Sequence, residues 1–215
     1  MRVLLLSIVI CTAFSTTARA ENQAVGFRVG MLGLGVEYTY RLTDRIAVRG
    51  GLNGSGFSFD ETDAGIDYGF DLDFDSMSVG IDVHPLKGKF RVSAGLLRND
   101  SGLRATAAPA QNFTIGDTTY AASDVGTLSG RIGFDSTAPY LGVGWDWLHD
   151  KKVGVALDIG VLNQGAPVVS LSADGPIAND PGFLDDLATE TAELQGSLDD
   201  LDVYPYAMFG VVVRF

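Results

Sequence analysis

Segment after segment of this chain alternates a large apolar residue with a glycine or a lone charge. Val153, Val155, Leu157, Ile159 and Val161 alternate with Gly154, Ala156, Asp158 and Gly160. Leu141, Val143, Trp145 and Trp147 alternate with Tyr140, Gly142, Gly144 and Asp146, and Met77, Val79, Ile81 and Val83 with Ser78, Gly80, Asp82 and His84. The pattern recurs at 34–41, 46–53, 89–96 and 203–215. Successive side chains on a strand point to opposite faces, so each segment is a strand with one hydrocarbon face. A soluble sandwich would turn its other face to water and fill it with ordinary Lys, Thr, Glu and Ser. Here that face is glycine with isolated Arg, Asp and Glu, which suits the tight interior of a narrow barrel whose apolar face meets lipid. The fold expected is all-β, an antiparallel transmembrane barrel.

The first twenty residues carry Arg2, an apolar run from Val3 to about Phe14 and an Ala-Arg-Ala end before Glu21. This reads as a secretory signal peptide at 1–20, leaving one barrel domain at 21–215. No later run reaches the eighteen or so apolar residues of a transmembrane helix. Cys11, the single cysteine, lies inside the signal, so neither a disulfide framework nor a thiol site is expected in the mature chain. Removing Arg2 and Arg19 takes the formal charge from -12 to -14, which argues against nucleic acid as a partner.

Connections fall into two classes. Those at 43–45, 86–89 and 148–152 are short, whereas those at 54–66, about 99–133 and 174–202 are long. Short turns belong on the periplasmic side and long loops outside. Seven long segments are legible, whereas bacterial barrels have an even number, so eight strands are expected with the eighth unplaced. Phe27, Val29 and Met31 run out of phase with Leu32, Leu34 and Val36, as a β-bulge or a break between two strands would make them. A second slip separates Ile66, Tyr68, Phe70, Leu72 and Phe74 from Met77, Val79 and Ile81.

The ending YPYAMFGVVVRF, with Tyr206, Phe209, Val211, Val213 and Phe215, resembles the C-terminal signature by which outer-membrane barrels are recognised for insertion. With the signal peptide, the loop asymmetry and the length, the chain resembles the small outer-membrane barrels, the OmpA transmembrane-domain and OmpW-like group. The resemblance implies residence in the outer membrane of a Gram-negative-type cell, contact with outer-membrane lipids including lipopolysaccharide, and handling by the barrel-assembly machinery. A monomer is expected.

Taking the polar faces as lumenal places Arg41, Arg49, Arg91 and Arg214 inside with Glu37, Asp82, Asp146 and Asp158. Four charges of each sign favour a lumen plugged by salt bridges, because isolated charges in a narrow interior are costly and paired ones are not. Catalysis is not expected: His84 and His149 both map to the short-turn end, where neither can serve a serine at the outer rim. Asp67, Asp71, Asp73 and Asp75 share one face of an extended segment without a basic residue, a candidate contact for calcium or magnesium. No other cofactor is indicated. Asp180 with Pro181 opens an amphipathic helix, with Leu184, Leu187, Thr191, Leu194, Leu198 and Leu201 as its stripe. That stripe packs over the barrel mouth or against another loop. A turn is expected at 115–118. The function expected is structural or interactive at the cell surface, and the alternative is a narrow channel for small solutes gated by 174–202.

Overall fold

The computed structural model describes residues 22–215 other than 64–65, 87, 110–111, 150–151 and 199–200. The expected signal peptide lies outside the described residues. Eight antiparallel strands close on themselves: β1 (Gln23–Gly30), β2 (Gly33–Arg41), β3 (Ile46–Asp63), β4 (Ile66–Val83), β5 (Phe90–Asn99), β10 (Thr137–His149), β11 (Val153–Asn163) and β13 (Val203–Arg214). Each pairs with the next, and β13 returns to β1 with Phe27 opposite Val211. Between β5 and β10 lie β6 (Gly102–Pro109), β7 (Phe113–Ile115), β8 (Thr118–Tyr120), α1 (Ala122–Val125) and β9 (Leu128–Gly133). β12 (Val168–Ala173) and α2 (Pro181–Leu198) lie between β11 and β13.

The missing eighth strand is β1. The phase change at residue 31 is a break, a two-residue hairpin in which Gly30 faces Gly33. Gly33 turns it with φ +91°, and a side chain there would meet Ser55 Oγ at 2.6 Å, so only glycine fits. The structure thus puts one very short connection, Met31 and Leu32, at the end that otherwise carries the long ones.

The stretch expected as a loop at 54–66 is instead the upper half of a hairpin. β3 and β4 stay in register from Ile46 opposite Val83 to Asp63 opposite Ile66. No residue slips in β4. The apolar face changes sides: Met77, Val79, Ile81 and Val83 point out of the barrel, and higher up Asp67, Asp71, Asp73 and Asp75 continue that outer face. The outer face changes from apolar to acidic between residues 77 and 75, and the apolar set moves to the inner face as Phe70, Leu72 and Phe74. That inner face stacks Phe59 on Phe70 and sets Phe57 edge-on to Phe74.

Above the barrel the upper part of β4 pairs with β6, β6 with β9, and β9 with β12. One wall therefore rises far above the β1–β2 turn. α2 packs against β12 and the β7–β8 hairpin, burying Phe183 and Leu187 with Ile115 and Val125. Of the two placements open from the sequence, this is the loop contact and not the barrel mouth. The buried line is Phe183 and Leu187, while Leu184 and Leu194 of the expected stripe are exposed and Leu201 follows the helix. Asp180 caps the helix, accepting bonds from the Gly182 and Phe183 amides at 2.9 and 3.3 Å.

Candidate functional site

Most inward positions of the lower barrel are either charged or small, Val212 being an exception, and the two kinds depend on one another. Arg49 on β3 reaches across the lumen and donates to Glu37 on β2 at 3.1 Å, Asp82 on β4 at 2.8 Å, Ser93 on β5 at 2.8 Å and Asp158 on β11 at 3.1 Å. Arg91 on β5 donates to Asp146 on β10 at 2.5 Å and also to Asp158. Arg28 on β1 donates to Glu37 at 2.7 Å and lies 3.3 Å from Asp158. Seven of the eight strands supply a member. β13 supplies room: a side chain at Gly210 would meet Phe27 O and the Arg28 stem, as one at Gly144 would meet the Arg91 guanidinium. This is why glycine dominates the polar faces.

Six of the eight charges expected in the lumen come together here: Glu37, Arg49, Asp82, Arg91, Asp146 and Asp158. Arg41 and Arg214 line a void of 30 Å³ below them, towards the short turns. Arg28 belongs to the cluster but escaped the sequence reading, although the alternation Gly26, Arg28, Gly30 carries the signal. Cancelled by three arginines, the four carboxylates leave a near-neutral plug, and paired, hydrogen-bonded charges are the form in which a narrow interior tolerates them. His84 is buried at the base with Nε2 3.9 Å from Asp146, and the side chain of His149 lies outside the described residues.

A second, apolar layer sits above the charges. Leu97, Ala138, Leu162, Tyr206 and Met208 are buried there, with Leu32, Tyr140 and Tyr204 against them. Between the two layers is a void of 50 Å³. The voids flanking the charges are narrow at 50 and 30 Å³, and a wider one of 170 Å³ lies above the apolar layer, between Leu72, Phe74, Leu97, Leu103 and Tyr204. The polar-face rule read from the sequence thus fails at the upper lumen, where leucine and methionine point inward.

The acids of β4 do not gather. Asp67 accepts from Thr62 at 2.7 Å and Asp71 from Ser58 at 2.5 Å. Among the described residues no three His, Cys, Asp or Glu side chains converge as metal ligands.

Outside the barrel, one titrating contact fastens the cap. Hydrogen bonds from Thr118 and from Tyr120, the latter at 2.6 Å, hold the Asp186 carboxyl below its ordinary range, and the same bond raises the Tyr120 phenol. A depressed carboxyl stabilises the docked helix above its unfolded pKa, and that contribution disappears as pH falls through the folded value. The protection factors of the amides at 113–120 should therefore hold above the ordinary carboxylate range and fall as pH drops below it. Asp186→Asn should remove that step.

An eight-stranded antiparallel barrel with an apolar outer face, a charge-paired lumen and one raised extracellular-type wall is the class that this fold and site define. No family model matches the chain, and no curated protein matches it. Among solved structures, CarO2 of Acinetobacter baumannii is similar at 20% identity and TM-score 0.62, over 90% of this chain and 98% of that one. CarO of the same organism is similar at 20% identity and TM-score 0.61, over 90% and 97%. A major outer membrane protein from Thermus thermophilus matches at 13% identity and TM-score 0.39, over 90% and 98%. The CarO likenesses agree with the small-barrel fold. They do not single out the OmpA and OmpW-like group.

Proposed function

We propose that this protein is an integral outer-membrane barrel with a non-conducting lumen, and that its work is done on the surface by the raised sheet and its helix. The lumenal cluster carries this reading, because three arginines and four carboxylates from seven strands occupy the path that a solute would take. The membrane location is supported by the belt of exposed Leu, Val, Ile and aromatic residues around the outside, which no protein surface covers. Outer-membrane lipids including lipopolysaccharide, and the assembly machinery acting on the 203–215 strand, are the partners that location brings. The protein is read as a monomer and as non-enzymatic, with His84 enclosed beneath the cluster. A divalent cation at the β4 acids is retained only in a form in which lipid phosphate completes its shell.

The channel alternative assigns the gate to 174–202. The two voids flanking the charge cluster are lined without α2, which favours the silent reading. Single-channel recording of refolded 21–215, intact and with 176–200 removed, tests the reading. Both forms should be silent. Steady conductance from the intact form would sink the plugged lumen, and conductance only after deletion would restore the gate.

A further inference from the structure

The raised sheet ends in an edge strand, and a side-chain amide already occupies part of that edge. Gln195 on α2 accepts from the Val169 N–H at 3.0 Å and donates to Pro167 C=O at 2.5 Å, filling the place of a neighbouring strand's peptide group. Antiparallel residues alternate between their two sides. Because Val169 directs its N–H to Gln195, residues 168, 170 and 172 face β9, and Leu171 turns its N–H and C=O to the open side. Beside this edge, α2 and β12 enclose a groove of 470 Å³, with Leu171, Leu184, Leu187 and Ala188 among its walls. An unpaired edge next to a helix is the geometry in which an extended peptide adds a strand, main chain to main chain, with alternate side chains dropping into the groove.

We propose that an extended, cationic segment of a partner protein adds to β12 in the groove beneath α2. The sign of the charge follows from the surroundings. From Asp174 to Asp202 there are nine acids and no base, four of them on α2. A second copy of this raised wall would bring acid to acid: the opposite free edge, upper β3, ends in Asp60, Glu61 and Asp63. On α2, Asp186 and Glu190 bond the β7–β8 hairpin while Asp185 and Glu193 stay exposed, so an apolar residue flanked by lysines or arginines suits the apolar groove within an acidic segment, and long-range attraction would speed its capture at low salt.

The proposal rests on the surface role given above, and its test is independent of the lumen. Fluorescein-labelled Thr-Lys-Val-Lys-Thr is titrated with the full mature protein in neutral detergent micelles, and anisotropy is read. Binding should weaken at least tenfold when alternate peptide amides are N-methylated, and as much with Ala188→Trp, which fills the groove from an exposed helix position. Thr-Glu-Val-Glu-Thr should not bind. Hydrogen exchange of Leu171 should slow when the lysine peptide is bound. Equal binding of the methylated peptide, equal binding by Ala188→Trp, equal binding of the glutamate peptide, or no binding of the lysine peptide would each overturn the proposal. Conductance of the same preparation reports on the lumen separately. A barrel that both conducts and binds would remove the plugged-lumen reading and leave the groove standing.

Discussion

Arg49→Ala is expected to destabilise the refolded barrel by about 3–5 kcal/mol in urea unfolding, the cost of breaking a buried ion pair by removing one partner. Arg49 is buried and shared by three carboxylates and Ser93. Its loss leaves Glu37, Asp82 and Asp158 facing one another with only Arg28 and Arg91 to compensate. The diagnostic result lies in the double variant. Arg49→Met with Asp158→Leu removes one charge of each sign and fills the space with hydrocarbon, and it should recover most of the loss, since apolar replacements for buried ion pairs are often neutral. A double variant as unstable as Arg49→Ala would mean that the arginine acts through its shape and not its charge. A single variant as stable as the parent would mean that the lumen is wet.

Val79→Arg should cost about 2–4 kcal/mol in a bilayer, and Asp73→Arg on the same outer face of the same strand should cost almost nothing. Val79 is 57% exposed, so in a water-soluble protein the first change would be harmless as well. The contrast therefore places the hydrocarbon boundary between residues 79 and 73, independently of any packing argument. If both substitutions are silent, the apolar belt is not facing lipid. If both are costly, the hairpin is buried further than its acids allow.

The lipid-facing sets of β2, β4, β10, β11 and β13 were readable because a strand's period is two and lipid demands the same answer at every turn. Six lumenal charges were readable for the same reason. What hid β1 was brevity: a two-residue turn at Met31 and Leu32 leaves no polar stretch to mark it, so two strands looked like one with a fault. What disguised upper β4 was a change of solvent along a continuous strand, which in sequence looks identical to a change of register. Leu97, Leu162 and Met208 were missed because an apolar residue at an inward position breaks the rule that defined the faces. The α2 stripe holds at Leu187, Thr191 and Leu198 and fails at Leu184 and Leu194, because helical spacing alone does not say which side meets a neighbour. Phe183 won over Leu184 through contact with Tyr120 and Ile115.

The lumenal cluster also bears on how the barrel reaches completion. Its members come from β1 at one end of the chain and β11 near the other, and Arg28 meets Asp158 only once β13 has seated between those strands. A misaligned sheet would leave Asp158 short of two of its partners, and a buried ion that lacks a partner costs several kcal/mol. Neighbouring strands already pair Arg28 with Glu37, Arg49 with Asp82 and Arg91 with Asp146, whereas Asp158 gains Arg28 and Arg49 only across the closed ring. The bonds from Arg28 and Arg49 to Asp158 thus belong to the finished ring alone, and a sheet closed in the wrong register forgoes them.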